Sequence, residues 1–164
     1  DAAEVGVSVT AASKGWNIAG LKCAIIISQS AKMHEKLNEL PPALHYRASL
    51  LGAFATVAAF EKGELWLATV LDQLDQNRKL IANLIEMKLP SIGYTIPHCS
   101  YLAWLDVSKL NLGEDPGAAI VERAKVAFNP GHIYGALGKD YVRLNFATSP
   151  EIITEAFDRM ARAL

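Results

Sequence analysis

Leu67, Leu71, Leu74, Ile81, Leu84 and Ile85 fall on one side of a 3.6-residue period, and no other feature of the chain restricts its architecture as much. The stripe lasts roughly 25 residues, which at about 1.5 Å per residue predicts a rod near 40 Å long. A helix of that length bridges domains or crosses a large sheet. It stops near Leu89-Pro90, because proline disfavours helix in the residue before it. Upstream, Leu44, Ala48, Leu51, Ala55 and Ala58 recur at steps of three and four residues between Pro41-Pro42 and Lys62-Gly63, which predicts a shorter helix there.

The flanking segments alternate between strand and helix patterns. Val5, Val7 and Val9 alternate with small or polar residues, and Ala24 to Ser28 is a branched apolar run of the buried-strand kind, so both are expected to be strands. Tyr94–Ile96 and Tyr101–Val107 are predicted strands separated by Pro97. Asp115-Pro116 opens a helix carrying Ile120, Val121 and Ala124. Val142, Leu144 and Phe146 alternate with Arg143, Asn145 and Ala147, so one side of that strand is apolar and the other bears a charge. Ser149-Pro150-Glu151 starts a last helix with Ile153, Phe157, Met160 and Leu164 inward. The expected class is α/β, with an α+β unit at the C-terminal end whose short mixed or antiparallel sheet is flanked by helices.

Composition narrows the function. Hydrophobic residues make up 51% of the 164 and charged ones 20%, as in a folded chain. Sixteen Lys+Arg against seventeen Asp+Glu leave a net charge of -1, so no nucleic-acid or anionic-membrane partner is expected. No apolar run approaches the roughly 20 residues of a membrane helix. Cys23 and Cys99 have no cysteine or histidine at zinc-ligand spacing, so we expect two buried free thiols and no metal. The start Asp1-Ala-Ala-Glu-Val lacks a secretory signal pattern and an initiating methionine, which suggests a cytoplasmic location and a piece of a longer polypeptide.

Between the first two expected strands lies Thr10 to Lys22, rich in Ser, Gly and Asn, a loop that no regular element fits. It carries Lys14. A lysine set among small residues directly after a buried strand is expected to be partly desolvated, which favours the neutral, nucleophilic amine. Composition alone reads it as an ordinary surface lysine.

The motifs decide between these readings. Ser13-Lys14 followed by Asn17, Gly20 and Leu21 resembles the Schiff-base lysine segment of class I/II aminotransferases and their carbon-sulfur lyase relatives, which are fold-type I pyridoxal-phosphate enzymes. Lys125-Val-Ala-Phe-Asn-Pro-Gly-His-Ile-Tyr-Gly135 and Tyr141-Val-Arg-Leu-Asn-Phe-Ala147 resemble small-domain segments of the same family. Ile96-Pro-His-Cys-Ser-Tyr-Leu-Ala-Trp-Leu-Asp106 is closer to the cystathionine beta-lyase branch. The resemblance covers the chain from about Thr10 onward.

It implies that Lys14 holds pyridoxal 5'-phosphate and serves as the catalytic base, and that Arg143 grips the carboxylate of an amino-acid substrate. A guanidinium offers a carboxylate two parallel N–H donors and stays charged at any working pH. Thr10, Ser13 and Lys22 are the candidates for the cofactor phosphate. The sequence departs from the family here, with Ala11 where a serine is common and Lys22 where an arginine is common. The family's pyridine-pairing aspartate, ring-stacking aromatic and glycine-rich phosphate loop have no counterpart before Lys14, so the chain alone is expected to be inactive. The implied organisation is residues 1–40 as the end of the cofactor-binding large domain, 41–89 as a helical segment with the long interdomain helix, and 90–164 as the small domain. The implied parent is a homodimeric lyase acting on a beta carbon-sulfur bond in amino-acid metabolism. The alternatives are an aminotransferase and, outside catalysis, an effector domain that keeps the fold. His34, His45, His98 and His132 show no metal-ligand spacing and are read as packing or surface groups, although His98, His132 and Tyr134 adjoin the motifs. Trp16 and Trp66 are read as core or interface residues.

Overall fold

The computed structural model describes residues 2–164, apart from the side chains of Ala2 and His45. The described chain divides into two compact units, residues 1–70 and 71–164. No helix among the described residues is long and apolar enough to cross a membrane.

In the first unit, α1 (Ala2–Val5) precedes β1 (Ser8–Thr10), which pairs antiparallel with β2 (Ile25–Ile27) in the register Val9 to Ile26. The expected strand over Val5–Val9 is therefore shorter and later. Ala2-Ala-Glu-Val favours a helical turn, and Gly6 ends it. The ribbon also corrects the expectation of burial, since all six of its residues are exposed. Two strands with no layer of this unit packed over them bury little, whatever their hydrophobicity.

α2 (Ala31–Asn38) follows, an element that the apolar period does not reveal because its residues are mostly polar. Its start is legible in retrospect: the Ser30 hydroxyl accepts from the Met33 N–H at 3.3 Å, an N-cap bond. Pro42–Arg47 forms 3-10 turns rather than the start of a long helix, and α3 (Leu50–Lys62) begins only after the Ser49 cap. Gly52 lets α3 touch the preceding loop, because a Cβ there would lie 2.3 Å from the Leu21 carbonyl oxygen.

α4 (Glu64–Lys88) runs for 25 residues, as the apolar stripe predicts. Its later half buries Leu74, Asn77, Ile81, Leu84 and Ile85 in the second unit. That unit continues with β3 (Gly93–Tyr94), β4 (Leu102–Asp106), α5 (Pro116–Ala124), β5 (Asn129–Pro130), β6 (Tyr141–Asn145) and α6 (Pro150–Ala163). The strands form one antiparallel sheet in the order β3-β4-β6-β5. Alternation puts Ala103, Leu105, Val142 and Leu144 on the buried face, and Ile120, Ile153, Phe157 and Met160 complete the core, while Val121 and Leu164, expected to face inward with them, are exposed. Caps fix the helix starts: the Asp115 carboxylate accepts from the Ala118 N–H at 3.0 Å.

Asn77 ties α4 to the far end of β6. Its amide donates to the Phe146 and Thr148 carbonyls at 2.9 and 2.8 Å, and its side-chain oxygen accepts from the Gln73 amide at 3.0 Å. Arg78 donates to the Pro97 carbonyl at 2.9 Å and lies 6.0 Å from the centre of the Phe146 ring. The Tyr94 phenol donates to the Arg78 carbonyl, and burial pushes its pKa up to about 12 despite the nearby Arg78 charge. The cysteines depart from expectation: Cys99 is exposed and Cys23 half-buried, the former in the irregular stretch that joins β3 to β4.

Candidate functional site

In the first unit, the segment from Ala12 to Asn17 is a tight turn. The Trp16 N–H donates to the Ala12 carbonyl at 3.0 Å and the Ile18 N–H to that of Ser13 at 3.1 Å, while Asn17 takes a left-handed conformation with φ 54°. The turn is anchored at both ends. Ala12 is fully buried, and the Trp16 indole donates to the Gly63 carbonyl at 3.0 Å with its ring edge-on to Phe60. Lys14 lies between these anchors on a backbone that has few ways to move. Its side chain is exposed, which corrects the expectation of partial desolvation. Gly15, Asn17, Ala19 and Gly20 carry too little side chain to cover it.

Ser13, the neighbour of Lys14, lines a cavity of about 770 Å³ on the Val9 and Ile26 face of the ribbon. Lys22, His34 and Arg47 also line it, and among the described residues no carboxylate does. The placement of the two cations follows from local structure. Lys22 is in a left-handed conformation with φ 51°, and its carbonyl accepts from the Ser49 N–H at 3.1 Å, which draws the Arg47–Ser49 segment against it. Thr10 pairs with Ile25 and, by alternation, belongs to the opposite face of the ribbon; it does not line the cavity. Most of the described lining is apolar, Val9, Ile26, Leu37, Leu40 and Leu44 among it, and it is Ser13, Lys22 and Arg47 that suit a compact anionic group. The residues therefore fit the phosphate of a pyridoxal cofactor.

In the second unit, the exposed side of the sheet gathers a different set. Asn129 pairs with Arg143 across β5 and β6, and Arg143 pairs with Trp104 across β6 and β4. Paired residues share a face, so the three form a row across the strands. The Arg143 Nη2 donates to the Asn129 side-chain oxygen at 3.1 Å. The Tyr134 ring covers the guanidinium at 4.8 Å from its carbon and meets Trp104 edge-on at 5.7 Å, and Trp104 stacks on Tyr141 at 5.5 Å. Arg143 Nε is buried and makes no hydrogen bond.

A pair of glycines shapes the loop that delivers Tyr134. A Cβ on Gly131 would lie 2.2 Å from the Gly138 carbonyl oxygen and 2.5 Å from that of Tyr141. Only bare backbone passes there, and the turn of Gly131–Tyr134 lands beside β6 as a result. His132 in that turn and His98 are exposed. Sequence reasoning placed Arg143 on the polar side of its strand but did not find Asn129 and Trp104 as its neighbours. The alternation of Leu102, Trp104 and Asp106 was a usable signal for Trp104; the strand register was not in the sequence.

The sheet, its flanking helices and the long helix define the C-terminal portion of a fold-type I pyridoxal-phosphate enzyme. The chain belongs to the aminotransferase class I and II family, whose model matches residues 2–160. A Mycobacterium leprae protein named "putative cystathionine beta-lyase" is 37% identical over 175 residues, covering 99% of this chain and 43% of that protein. The structure of a "putative plp-dependent beta-cystathionase" from Corynebacterium diphtheriae superposes with a TM-score of 0.93 at 40% identity, over 99% of this chain and 43% of the other. The pyridoxal-phosphate-bound carbon-sulfur lyase from Staphylococcus hominis gives 0.84 at 28% identity, over 95% of this chain and 38% of the other. The chain thus spans less than half the length of each.

Proposed function

We propose that these residues form the C-terminal part of a pyridoxal-phosphate-dependent lyase that cleaves a beta carbon-sulfur bond of an amino acid such as cystathionine. The observation that carries the reading is the cavity that joins Ser13, the residue next to Lys14, with Lys22 and Arg47. Pyridoxal phosphate, when bound, supplies an electron sink for the charge left on the substrate's alpha carbon.

The chain's own residues supply the rest. Lys22 and Ser13 take the phosphate, Lys22 as a point charge and Ser13 as a hydroxyl donor, while Thr10, on the other face of the ribbon, takes no part. Lys14 holds the cofactor through its side-chain nitrogen. With the cofactor bound, the same nitrogen would take the proton from the substrate's alpha carbon. Its tightly anchored turn keeps it within a small volume while it changes roles. Arg143 orients the substrate by its carboxylate, offering it a planar pair of N–H donors. With a thiol leaving group on the beta carbon, proton removal at the alpha carbon expels the thiol, and the remaining fragment hydrolyses to pyruvate and ammonia.

In this reading residues 1–40 close the cofactor-binding domain, 41–89 carry the interdomain helix and 90–164 form the small domain. The protein works as a cytoplasmic homodimer. The full-length protein, incubated with cystathionine, should release pyruvate without any keto-acid acceptor, and Lys14→Ala should abolish release. Pyruvate that appears only when an acceptor is added would replace the lyase with an aminotransferase, which the family model also accommodates. Borohydride treatment in the presence of pyridoxal phosphate should label the peptide containing Lys14; an unlabelled peptide would remove the basis of either activity.

A further inference from the structure

We propose that Asn129 and Tyr134 are positioning residues for Arg143, fixing which of its donors meet the substrate carboxylate. The inference rests on the reading of Arg143 as the carboxylate grip and adds how the grip is held.

A guanidinium has five N–H donors and no acceptor. Against it, the Asn129 amide must present its oxygen, and it takes one Nη2 hydrogen at 3.1 Å. Nε is shut away without a partner. Three donors remain, two on Nη1 and one on Nη2, and these suffice for the paired bonds a carboxylate accepts.

The guanidinium face is held separately. The Tyr134 ring lies 4.8 Å from the guanidinium carbon, and Trp104, stacked on Tyr141, meets Tyr134 edge-on. An arginine side chain loses considerable rotamer freedom when it is fixed. Here the strand pairing with Asn129 and the aromatic cover remove that freedom before substrate arrives, so less affinity is spent on ordering. Asn129 is itself exposed and neutral, hence it orients Arg143 without cancelling its charge. A carboxylate at position 129 would orient the guanidinium equally well and compete with the substrate.

The test uses the full-length enzyme carrying its cofactor. It reads kcat and KM for cystathionine and the competitive inhibition constant of hydrocinnamate, a carboxylic acid with no amino group. Asn129→Ala, which removes the acceptor that holds Nη2, should raise KM and the inhibition constant several-fold with kcat changed little, the signature of lost uniform binding. Tyr134→Phe, which keeps the ring over the guanidinium, should match the wild type, whereas Tyr134→Leu should raise both constants several-fold at an unchanged melting temperature. A merely structural role would leave both constants alone in every variant that folds. Arg143→Ala separates the two levels of argument. If it leaves both constants unchanged, the carboxylate grip fails and this inference falls with it. If it raises them while Asn129→Ala and Tyr134→Leu do not, the grip stands and the positioning role is overturned.

Discussion

Replacing Asn77 by aspartate keeps the side chain's shape and reverses its hydrogen bonding. Asn77 is 1% exposed, and its amide is the donor for both the Phe146 and the Thr148 carbonyls. A buried acceptor left without a donor costs about 1–3 kcal/mol. With two acceptors, one of them only partly buried, Asn77→Asp forfeits about 2–4 kcal/mol from this source, and an ionised carboxylate facing two carbonyl oxygens adds to it. That is a large share of the 5–15 kcal/mol stability typical of a domain. Asn77→Ala should lose about 2–4 kcal/mol with no charge involved. The two variants therefore differ in their response to pH. The introduced carboxyl group has a folded-state pKa raised above its unfolded value by burial and by the carbonyls, so its destabilisation is complete at neutral pH. It shrinks as pH falls through that raised value, because the protonated acid is neutral and regains one O–H donor. Urea unfolding followed by circular dichroism at pH 7 and pH 5 reads both effects. A wild-type midpoint for Asn77→Asp at pH 7, or a gap between the two variants that ignores pH, would refute the argument.

Phe157 is fully buried, so Phe157→Ala should cost about 3–5 kcal/mol in the same assay, and a loss below ~1 kcal/mol would show that α6 is not seated as described. Asp115→Ala removes the cap of α5 and should cost ~1 kcal/mol. Gly131→Ala drives a methyl into two backbone carbonyls and should cost at least about 2–3 kcal/mol in thermal or urea unfolding, whereas tolerance of alanine would place the Tyr134 turn elsewhere. In an alkaline ultraviolet titration, subtracting Tyr94→Phe from the wild type should isolate a component near pH 12, its phenol held neutral by burial; a component near pH 10 would contradict that burial.

The parts of this fold that could be read in the sequence are those whose stabilisation is periodic. α4, α5 and α6 each bury one stripe against the second unit, so Ile81, Ile120 and Phe157 announced their faces. α2 carries no such stripe and is marked only by the Ser30 cap. The β1–β2 ribbon misled for the opposite reason, because hydrophobicity reports what a segment would gain from cover and not whether cover is present. At the site, Arg143 was placed by two-residue alternation. Its row with Asn129 and Trp104 depends on pairing strands that lie 14 and 39 residues apart in sequence, and no local rule sets that register. Lys14 was found by its motif, but its exposure is a matter of which neighbours lean over it, and four of them are small or polar.

The ribbon of β1 and β2 also bears on how such a polypeptide behaves in solution. Val9, Ile25, Ile26 and Ile27 stand in solvent on strands that contain no lysine, glutamate or proline to discourage pairing, and each strand has a neighbour on one side only. Bare edges of this kind template further strands, so these 164 residues by themselves, spanning 43% of their relatives' length, would tend to extend one another's sheet along the isoleucine edge.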